Sequence, residues 1–530
     1  MSADSDPKYT AISFAPVQGF IEKSRKLRDL YGASQILSYL SAKIVHRAGS
    51  RVISPVLSDD GSGMDLIQGM PNRILIEGEF SYNDAKSAIA GGWNEIISGC
   101  RAWIEEHPQL SKEFTFSEES WGRAWTKWKI NAWEIFWGEG STISEAMLAL
   151  ETNKLRRDWT VPNWNGESSS LSGSDAIAYP NMDSKENVGS KYNPGQEREE
   201  IREFYDKLAR ALENTKQQDE PIFLDRSERL SIPELIKRLV THHQVARRID
   251  QQQSLYAKSF REMLRIKDKE QKKGGYWTGW FMGDGDAVGK HLKKLKTPEE
   301  VRKFSSALRT WGRQFQKDFK LGRVVYAGGD DFFGVMFGTD EEEAQKRQTE
   351  VIDFLIELQD RWEKGELDIN LSLGFVWAGH SVPQRDVLQH CREAEKYSKS
   401  LEGKNCLTIR ILFNNGQFVQ WRTPWQYVRW LKDYCDRNNK TGKDANWSHV
   451  YSDLAQLKAR HAIPPKTAPP TDNPNEAVVA LSLLDLYFGE EKKAILSQDC
   501  KIITGSEGTK SVIEWVEGMI QVGWQLCSNS

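Results

Sequence analysis

The sequence predicts an α+β fold in which two units of mixed strands and helices are combined with helical segments. Near the amino terminus, apolar strand-like segments alternate with amphipathic helical ones. The same order of segments begins again at Tyr276. The chain has 530 residues, which at roughly 100–200 residues per domain gives about three to five domains.

Composition excludes several classes of protein. Hydrophobic residues make up 39% and charged residues 28% of the chain, which excludes a disordered polymer. No apolar stretch approaches ~18–20 residues, and the start MSADSDPKYT lacks the features of a signal peptide, so we expect neither a membrane span nor secretion. The six cysteines are scattered without a C-x-x-C pair, which indicates a reduced, cytoplasmic protein. The 72 basic and 75 acidic residues nearly balance, so any nucleic-acid contact requires a local patch.

The first unit has the segment order of a ferredoxin-like fold. A strand, a long amphipathic helix, two strands and a second helix are predicted at 10–14, 17–46, 51–57, 73–77 and from Asn83. The region 121–157 is predicted to be helical, and its tryptophans 121, 125, 128, 133 and 137 have helical spacing. A Ser-, Gly-, Asn- and Pro-rich connection follows at 165–196, and helices resume at 198–212 and 232–266.

The second unit repeats the order and adds a strand. Strands are predicted at 276–282, 323–327, 332–337, 369–377 and 406–413, with helices at 287–319, 341–362 and 384–401. From about Trp421 we expect helices, interrupted by a proline-rich connector at 462–475. The predicted domains are 1–160, a first ferredoxin-like unit; 161–270, a loop-rich and helical middle; 271–415, the second unit; and 416–530, a helical domain.

Two acidic turns in the second unit carry the chemistry. Asp284 lies at the end of an apolar strand, and Asp330 and Asp331 lie at a hairpin tip between two strands. In this topology the first strand and the second hairpin strand are neighbours, so the three carboxylates are expected to converge. Carboxylates brought together repel each other unless a cation neutralises them, and hard oxygen ligands favour Mg²⁺ or Mn²⁺ bound with substrate phosphates.

The hairpin tip Gly328-Gly329-Asp330-Asp331 is open to two interpretations. Gly328 and Gly329 allow positive φ and keep side chains away from a nucleotide lying over the turn. The alternative is that these four residues form an ordinary tight turn. The upstream strand that ends in Gly283-Asp284-Gly285-Asp286 favours the catalytic interpretation.

These residues resemble the palm domain of nucleotidyl cyclases of the GGDEF class and of family-B-like polymerases. The helix start Ala287–Lys290 and the segments Ala394–Lys399 and Gly403–Asn405 resemble further parts of that domain. A closer resemblance is to the large, cyclase-bearing subunit of type III CRISPR–Cas effector complexes, in its RAMP-module, subtype B-like form. That resemblance is carried by the amino-terminal segments at 14–21 and 24–38, by Gly69–Arg73 and by Glu228–Ser231.

The resemblance implies synthesis of cyclic oligoadenylates from ATP once target RNA pairs with the guide. Asp284, Asp330 and Asp331 would hold Mg²⁺ or Mn²⁺. The nucleotide-binding candidates are Gly285, Asp286, Gly289, Gly328, Gly329, Lys399 and Lys404, with Arg28, Asp29 and Ser34 as candidates for a second pocket in the first unit. For these last three residues, helix surface and packing is the alternative. The implied partners are a small helical subunit, RRM-fold backbone subunits, guide RNA and target RNA, with no membrane.

The sequence departs from the family pattern at two places. It contains no His-Asp dipeptide, so we do not expect the histidine–aspartate nuclease activity of many members. The stretch 165–179 has serines and no cysteine where many members have four zinc ligands, so we expect no zinc.

Three other signals have simpler explanations. His242-His243 lacks a third ligand and favours a structural role. The basic run at 290–296 is typical of a solvated helix face, although it could meet phosphates or RNA. The tryptophan stripe at 121–137 favours a packed core or subunit interface over base stacking.

Two other functions remain open on the sequence alone. The chain could be a catalytically silent scaffold that organises guide RNA and other subunits. It could also be a stand-alone cyclic-dinucleotide synthase, which the amino-terminal segments and the long helical carboxy-terminal region disfavour.

Overall fold

The computed structural model of the chain describes residues 8–56, 69–157, 164, 166–182, 193–213, 223–225, 227–250, 263, 275–365, 367–464 and 474–528. The chain divides into two compact units. The first comprises Met1–Glu262, Leu292–Arg313 and Val325–Gly329, and the second comprises Met263–His291, Gln314–Val324 and Asp330–Ser530. The chain contains two β-sheets and many helices, which confirms the predicted α+β class.

The first sheet has four antiparallel strands. Strands β1 to β4 are Tyr9–Ala15, Val52–Ser54, Arg73–Glu77 and Glu134–Gly140. Their order is β2-β3-β1-β4, with antiparallel pairing between neighbours, as expected for a ferredoxin-like unit.

Helices cover both faces of this sheet. Helices α1 to α9 are Gln18–Glu22, Leu27–Ala48, Tyr82–Glu106, Pro108–Ser111, Arg123–Asn131, Ile143–Lys154, Pro194–Glu213, Ile232–Leu239 and His243–Ile249. Successive strand residues point to opposite faces. Ile12 belongs to a large core with α2 and α3, whereas Ala11 and Phe136 belong to a smaller one with α6. The large core also contains side chains from α7 to α9, so residues of the predicted domains 1–160 and 161–270 share it.

The predicted helix at 17–46 is broken into α1 and α2, and the break has a physical cause. The buried Lys237 ammonium donates to the carbonyl oxygens of Phe20, at 3.0 Å, and Lys23. Those carbonyls therefore cannot serve as ordinary helix acceptors. Asp29 then starts α2 by accepting from the Lys26 amide at 3.1 Å.

Arg28, Asp29 and Ser34 lie in the interior of the first unit, each less than 5% exposed. The Arg238 guanidinium holds Asp29 through two hydrogen bonds of 2.7 and 2.8 Å and also pairs with Glu228. Burial alone would raise the pKa of Asp29, but Arg238 outweighs it and lowers that pKa to about 2. The structure therefore places all three side chains in the packed interior, and a nucleotide pocket formed by them stays a prediction.

The prediction that 121–157 is helical is wrong for its middle part, because β4 lies there. Gly138 and Gly140 make this strand possible next to α6, since a Cβ on Gly138 would lie 2.3 Å from the Leu150 nitrogen. The tryptophan stripe is therefore not a single helix. Trp121 and Trp125 are buried in the core, while Trp137 lies on β4.

The second sheet has six strands. Strands β5 to β10 are Thr278–Gly285, Gly322–Ala327, Asp331–Met336, Leu371–Ala378, Cys406–Leu412 and Phe418–Pro424. Their order is β10-β9-β8-β5-β7-β6, in which β8 and β9 are parallel. Four of them, in the order β8-β5-β7-β6, repeat the arrangement of the first sheet. Strand β10 corrects the prediction of helix from about Trp421, because it pairs with β9 along its whole length.

The helices of this part of the chain are as predicted at 341–362 and 384–401, within a few residues. Helices α10 to α18 are Val288–Leu292, Pro298–Asp318, Glu341–Lys364, Gln384–Lys399, Ser448–Ala459, Pro474–Phe488, Glu490–Gln498, Cys500–Thr504 and Thr509–Cys527. Phe281 of β5 packs against Phe315, Phe332 and Phe354, which fixes the sheet to α11 and α12.

Among the described residues, no helix combines the length and apolar character that a membrane span requires. Most of the predicted proline-rich connector and of the helical stretch after Ile249 lies outside the described residues.

We predict that His242 makes the stability of the first unit depend on pH. His242 is buried between the Trp103 and Phe223 rings, and burial lowers its pKa to about 3. Below the ordinary pKa of about 6.5 the unfolded chain binds this proton and the folded chain does not, so stability falls as the pH drops from 6.5 towards 3. The expected slope is at most about 1.4 kcal/mol per pH unit.

The measurement is urea unfolding at pH 7, 5 and 4. His242→Phe should flatten this part of the profile, whereas His46→Phe, at an exposed position, should not. An unchanged slope in His242→Phe would contradict the assignment.

Candidate active site

The site is built on the antiparallel pairing of β5 with β7. Asp284, near the end of β5, lies directly opposite Asp331, the first residue of β7. The Gly285 amide donates to the Asp330 carbonyl at 2.8 Å and fixes the hairpin tip against β5. The structure thus brings together the carboxylates that the sequence singled out.

The other two carboxylates affect the charge of Asp331. The Asp331 side chain is exposed at the strand end, but protein packed around it and the charges of Asp330 and Asp284 together raise its pKa to about 7. Asp331 is therefore harder to ionise than an ordinary aspartate.

Lys399 supplies a positive charge to the site. Its ammonium lies 2.6 Å from Asp284 Oδ2 and also pairs with Glu395, one turn earlier on α13. Partial burial disfavours the charged ammonium, but the hydrogen bonds to Asp284 and Glu395 outweigh it and raise the pKa of Lys399. Lys399 therefore stays protonated and balances one carboxylate of the site.

Asp286 is a positioning residue. It is buried, and its Oδ2 accepts from Ser372 Oγ at 2.8 Å and from the Asn405 amide at 2.9 Å. It thereby ties the end of β5 to β8 and to the turn before β9. Asp286 Oδ1 is buried and accepts no hydrogen bond from the described residues.

The backbone around the site has an unusual conformation at four residues. Ala287 has φ 59°, and Gly403, Lys404 and Asn405 have φ of 82°, 54° and 52°. Such angles are uncommon outside glycine and often mark functional sites. This conformation lets the Asn405 amide reach Asp286.

Gly328 and Gly329 do not use the positive φ that glycine allows, since neither is among the described residues with positive φ. Gly285 instead lacks room for a side chain, because a Cβ there would lie 2.6 Å from Ile369 Cδ1. A Cβ at Gly289 would meet nothing within 4 Å. The glycines of the site therefore have different roles.

Some functional candidates were not singled out from the sequence. Glu395 lies four residues before Lys399, which is the helical spacing of a paired acid and base. Ser372 and Asn405 had no such signal, because their roles depend on contacts with Asp286 across 86 and 119 residues.

The three carboxylates are chemically suited to bind a divalent cation, although their side chains are not already arranged around one. Within the part of the chain that the structure describes, no group of three His, Cys, Asp or Glu side chains is arranged to hold a metal ion. Lys399 lies beside Asp284 instead. Carboxylate oxygens from two facing strands are nevertheless the kind of ligand that Mg²⁺ or Mn²⁺ prefers.

The amino-acid sequence matches two family models. Residues 277–408 match Cas10/Cmr2, second palm domain, and residues 9–98 match CRISPR-associated protein Cmr2, N-terminal. The two matched segments are therefore a Cas10/Cmr2 second palm domain and a Cmr2 amino-terminal domain. The first match contains β5 to β8 and α13, and therefore the whole carboxylate site.

The chain is similar to solved structures at low sequence identity, and the first of these shows the same fold. A chain of the type III-B Cmr-beta apo structure, determined by cryo-EM, is 10% identical with a TM-score of 0.60, covering 98% of this chain and 82% of that one. Csm1–Csm4 cassette bound to cA3 gives 14% identity and a TM-score of 0.47, covering 100% and 71%. Csm1 in T.onnurineus gives 14% and 0.44, again covering 100% and 71%. No curated protein matches the chain.

We predict that Asp286 stabilises the second unit, in which the carboxylate site lies. Asp286→Ala removes two hydrogen bonds to a buried carboxylate and should lower the free energy of unfolding by about 3 kcal/mol. Gly289→Ala is the matched control, and it should leave stability unchanged or raise it by up to about 1 kcal/mol, because alanine favours helix. Urea unfolding monitored by circular dichroism measures both, and equal stability of Asp286→Ala and the parent protein would contradict the prediction.

Proposed function

We propose that this chain is the large subunit of a type III CRISPR effector complex and makes cyclic oligoadenylates from ATP when target RNA is bound. The pairing of Asp284 with Asp331 across β5 and β7, inside the segment that matches the second palm domain, is the observation that carries the proposal. The partners would be other effector subunits, guide RNA and target RNA.

In the proposed reaction the 3′-hydroxyl of one ATP attacks the α-phosphate of another and pyrophosphate leaves. Asp284 and Asp331, with Asp330, would hold Mg²⁺ or Mn²⁺. When bound, such a cation supplies Lewis acidity towards phosphate oxygens and the attacking hydroxyl.

Lys399 would balance charge both before and after substrate binds. Its ammonium is a point charge on a flexible stem, so it can pair with Asp284 in the free protein and with triphosphate oxygens when ATP is present. Lys404, on the turn between α13 and β9, is a second candidate for the phosphates. Asp286 would keep that turn against the end of β5 through the Asn405 amide.

A catalytically silent scaffold is the second candidate function, and one observation favours it. Asp284 is already paired with Lys399, and no three-ligand metal group is formed among the described residues. The two functions differ in whether the carboxylates take up a cation and turn over ATP.

We predict that the hairpin acids are required for product formation. In the reconstituted complex with ATP, Mg²⁺ and cognate target RNA, Asp330→Ala/Asp331→Ala should lower the yield of cyclic oligoadenylate at least about 100-fold, because the cation ligands are lost. Glu341→Ala/Glu342→Ala removes another adjacent pair of exposed acids and should stay within about twofold of the parent complex.

Mass spectrometry of the product measures the yield and ring size. An unchanged yield in the Asp330/Asp331 variant would refute the proposed active site. Normal target-RNA binding without any product, at every Mg²⁺ or Mn²⁺ concentration, would establish the scaffold instead.

A further inference from the structure

A pocket of about 400 Å³ surrounds the outer edge of β4 in the first unit. Strand β4 is the last strand of its sheet, so within the described part of the chain one side of its backbone has no neighbouring strand. Helix α3 contributes Tyr82 and Lys86 to the lining, α6 contributes Asn153, and Arg156 follows two residues after the end of α6. The pocket is therefore a cleft whose floor is a free strand edge.

The direction of the free backbone groups follows from one hydrogen bond. Asn153 Nδ2 donates to the Trp137 carbonyl at 2.6 Å, so this carbonyl points away from β1. In an antiparallel pair the N–H and C=O of one residue point the same way, and every second residue shares that direction. Ile135 and Glu139 therefore direct both backbone groups outward, and neither residue has a hydrogen-bond partner there among the described residues.

Several apolar side chains around this edge are exposed. Tyr82 and Ile130 line the pocket and are 43% and 70% exposed. Trp137 also lines it and is half-buried, whereas the lining residue Phe136 is buried. Leu155, next to the lining residue Arg156, is 85% exposed. Exposed aliphatic and aromatic side chains grouped beside an unpaired strand are typical of a protein interaction site.

The charge of the pocket is positive. Lys86 and Arg156 are exposed and make no ion pair or side-chain hydrogen bond with the described residues. Glu134, the acid of the pocket, is already neutralised by Arg157 at 2.8 Å. An occupant with acidic side chains would complement the two free cations.

We infer that the β4 edge is a docking site for an extended segment of a partner protein that adds a strand to the first sheet. The backbone of that segment would pair with Ile135 and Glu139, an apolar side chain would fill the aromatic pocket, and acidic residues would face Lys86 and Arg156. Exposed Ile130 and Leu155 favour a protein over single-stranded nucleic acid, which uses aromatic platforms and cations but not aliphatic rims.

The inference rests on the proposed assembly and concerns a surface outside the carboxylate site. Hydrogen–deuterium exchange is compared between the isolated full-length chain and the reconstituted effector complex. Amides in peptides covering Glu134–Gly140 should exchange at least about tenfold more slowly in the complex, because a paired edge is protected.

Two pairs of variants test the backbone pairing and the charge of the docking site. In each pair the second variant controls for a general loss of stability. Ile135→Pro removes an outward N–H, which edge strands tolerate, and should weaken assembly at least about tenfold, whereas Ile135→Ala should weaken it less. Lys86→Glu/Arg156→Glu should also weaken assembly, whereas Lys112→Glu/Arg210→Glu, an exposed pair elsewhere in the first unit, should not. If Ile135→Pro fails to fold, the comparison of the two charge-reversal variants still tests the docking site.

The outcomes distinguish this inference from the proposed function. A complex that forms and makes cyclic oligoadenylate, with β4 exchanging as in the isolated chain, overturns the docking site alone. Protection of β4 in the isolated chain by a 12-nucleotide oligouridylate, without protection on assembly, assigns the pocket to RNA and also overturns it. Protection on assembly together with loss in Lys86→Glu/Arg156→Glu supports the docking site.

Discussion

The antiparallel register between β5 and β7 determines where every other part of the site must lie. It places Asp284 opposite Asp331 and so concentrates negative charge at one edge of the second sheet. Lys399 balances part of that charge from the end of α13, and Asp286 ties the same strand end to β8 and to the turn before β9. A shift of β7 by one residue in this register would turn Asp331 to the opposite face of the sheet from Asp284. The packing of Phe281 against α11 and α12 holds it in place.

The two sheets share a four-strand order but end differently. In the second sheet β8 is followed by β9 and β10, which cover the edge that would otherwise be free. In the first sheet the equivalent strand is β4, and among the residues that the structure describes its outer edge has no neighbouring strand. The same architecture therefore supports a carboxylate site in one unit and an open strand edge in the other. The Asp29–Arg238–Glu228 group is a buried ion-pair network that connects distant segments of the first unit.

Much of the fold and the centre of the site could be predicted from the sequence, because the apolar strands and acidic turns of the second unit are local signals. The strand order predicted from the sequence was enough to indicate that Asp284 and Asp331 lie close together. Strand β4 was not predicted, because the tryptophans around it have helical spacing and therefore indicated a helix. The segment forms a strand through its pairing with β1, which no local pattern shows. The partner of Asp29 lies 209 residues away at Arg238, so no local pattern could assign its role. The positive φ of Ala287, in place of Gly328 and Gly329, likewise depends on tertiary contacts.

We propose that the carboxylates of β5 and β7 form a cation site that Lys399 leaves when nucleotide binds. Anomalous scattering from crystals of the chain grown with Mn²⁺ and a non-hydrolysable ATP analogue would locate that cation. We expect a manganese peak within ligand distance of Asp284 and Asp331, with the Lys399 ammonium moved from Asp284 to the triphosphate. Nucleotide bound without a manganese peak, and Lys399 still paired with Asp284, would contradict it.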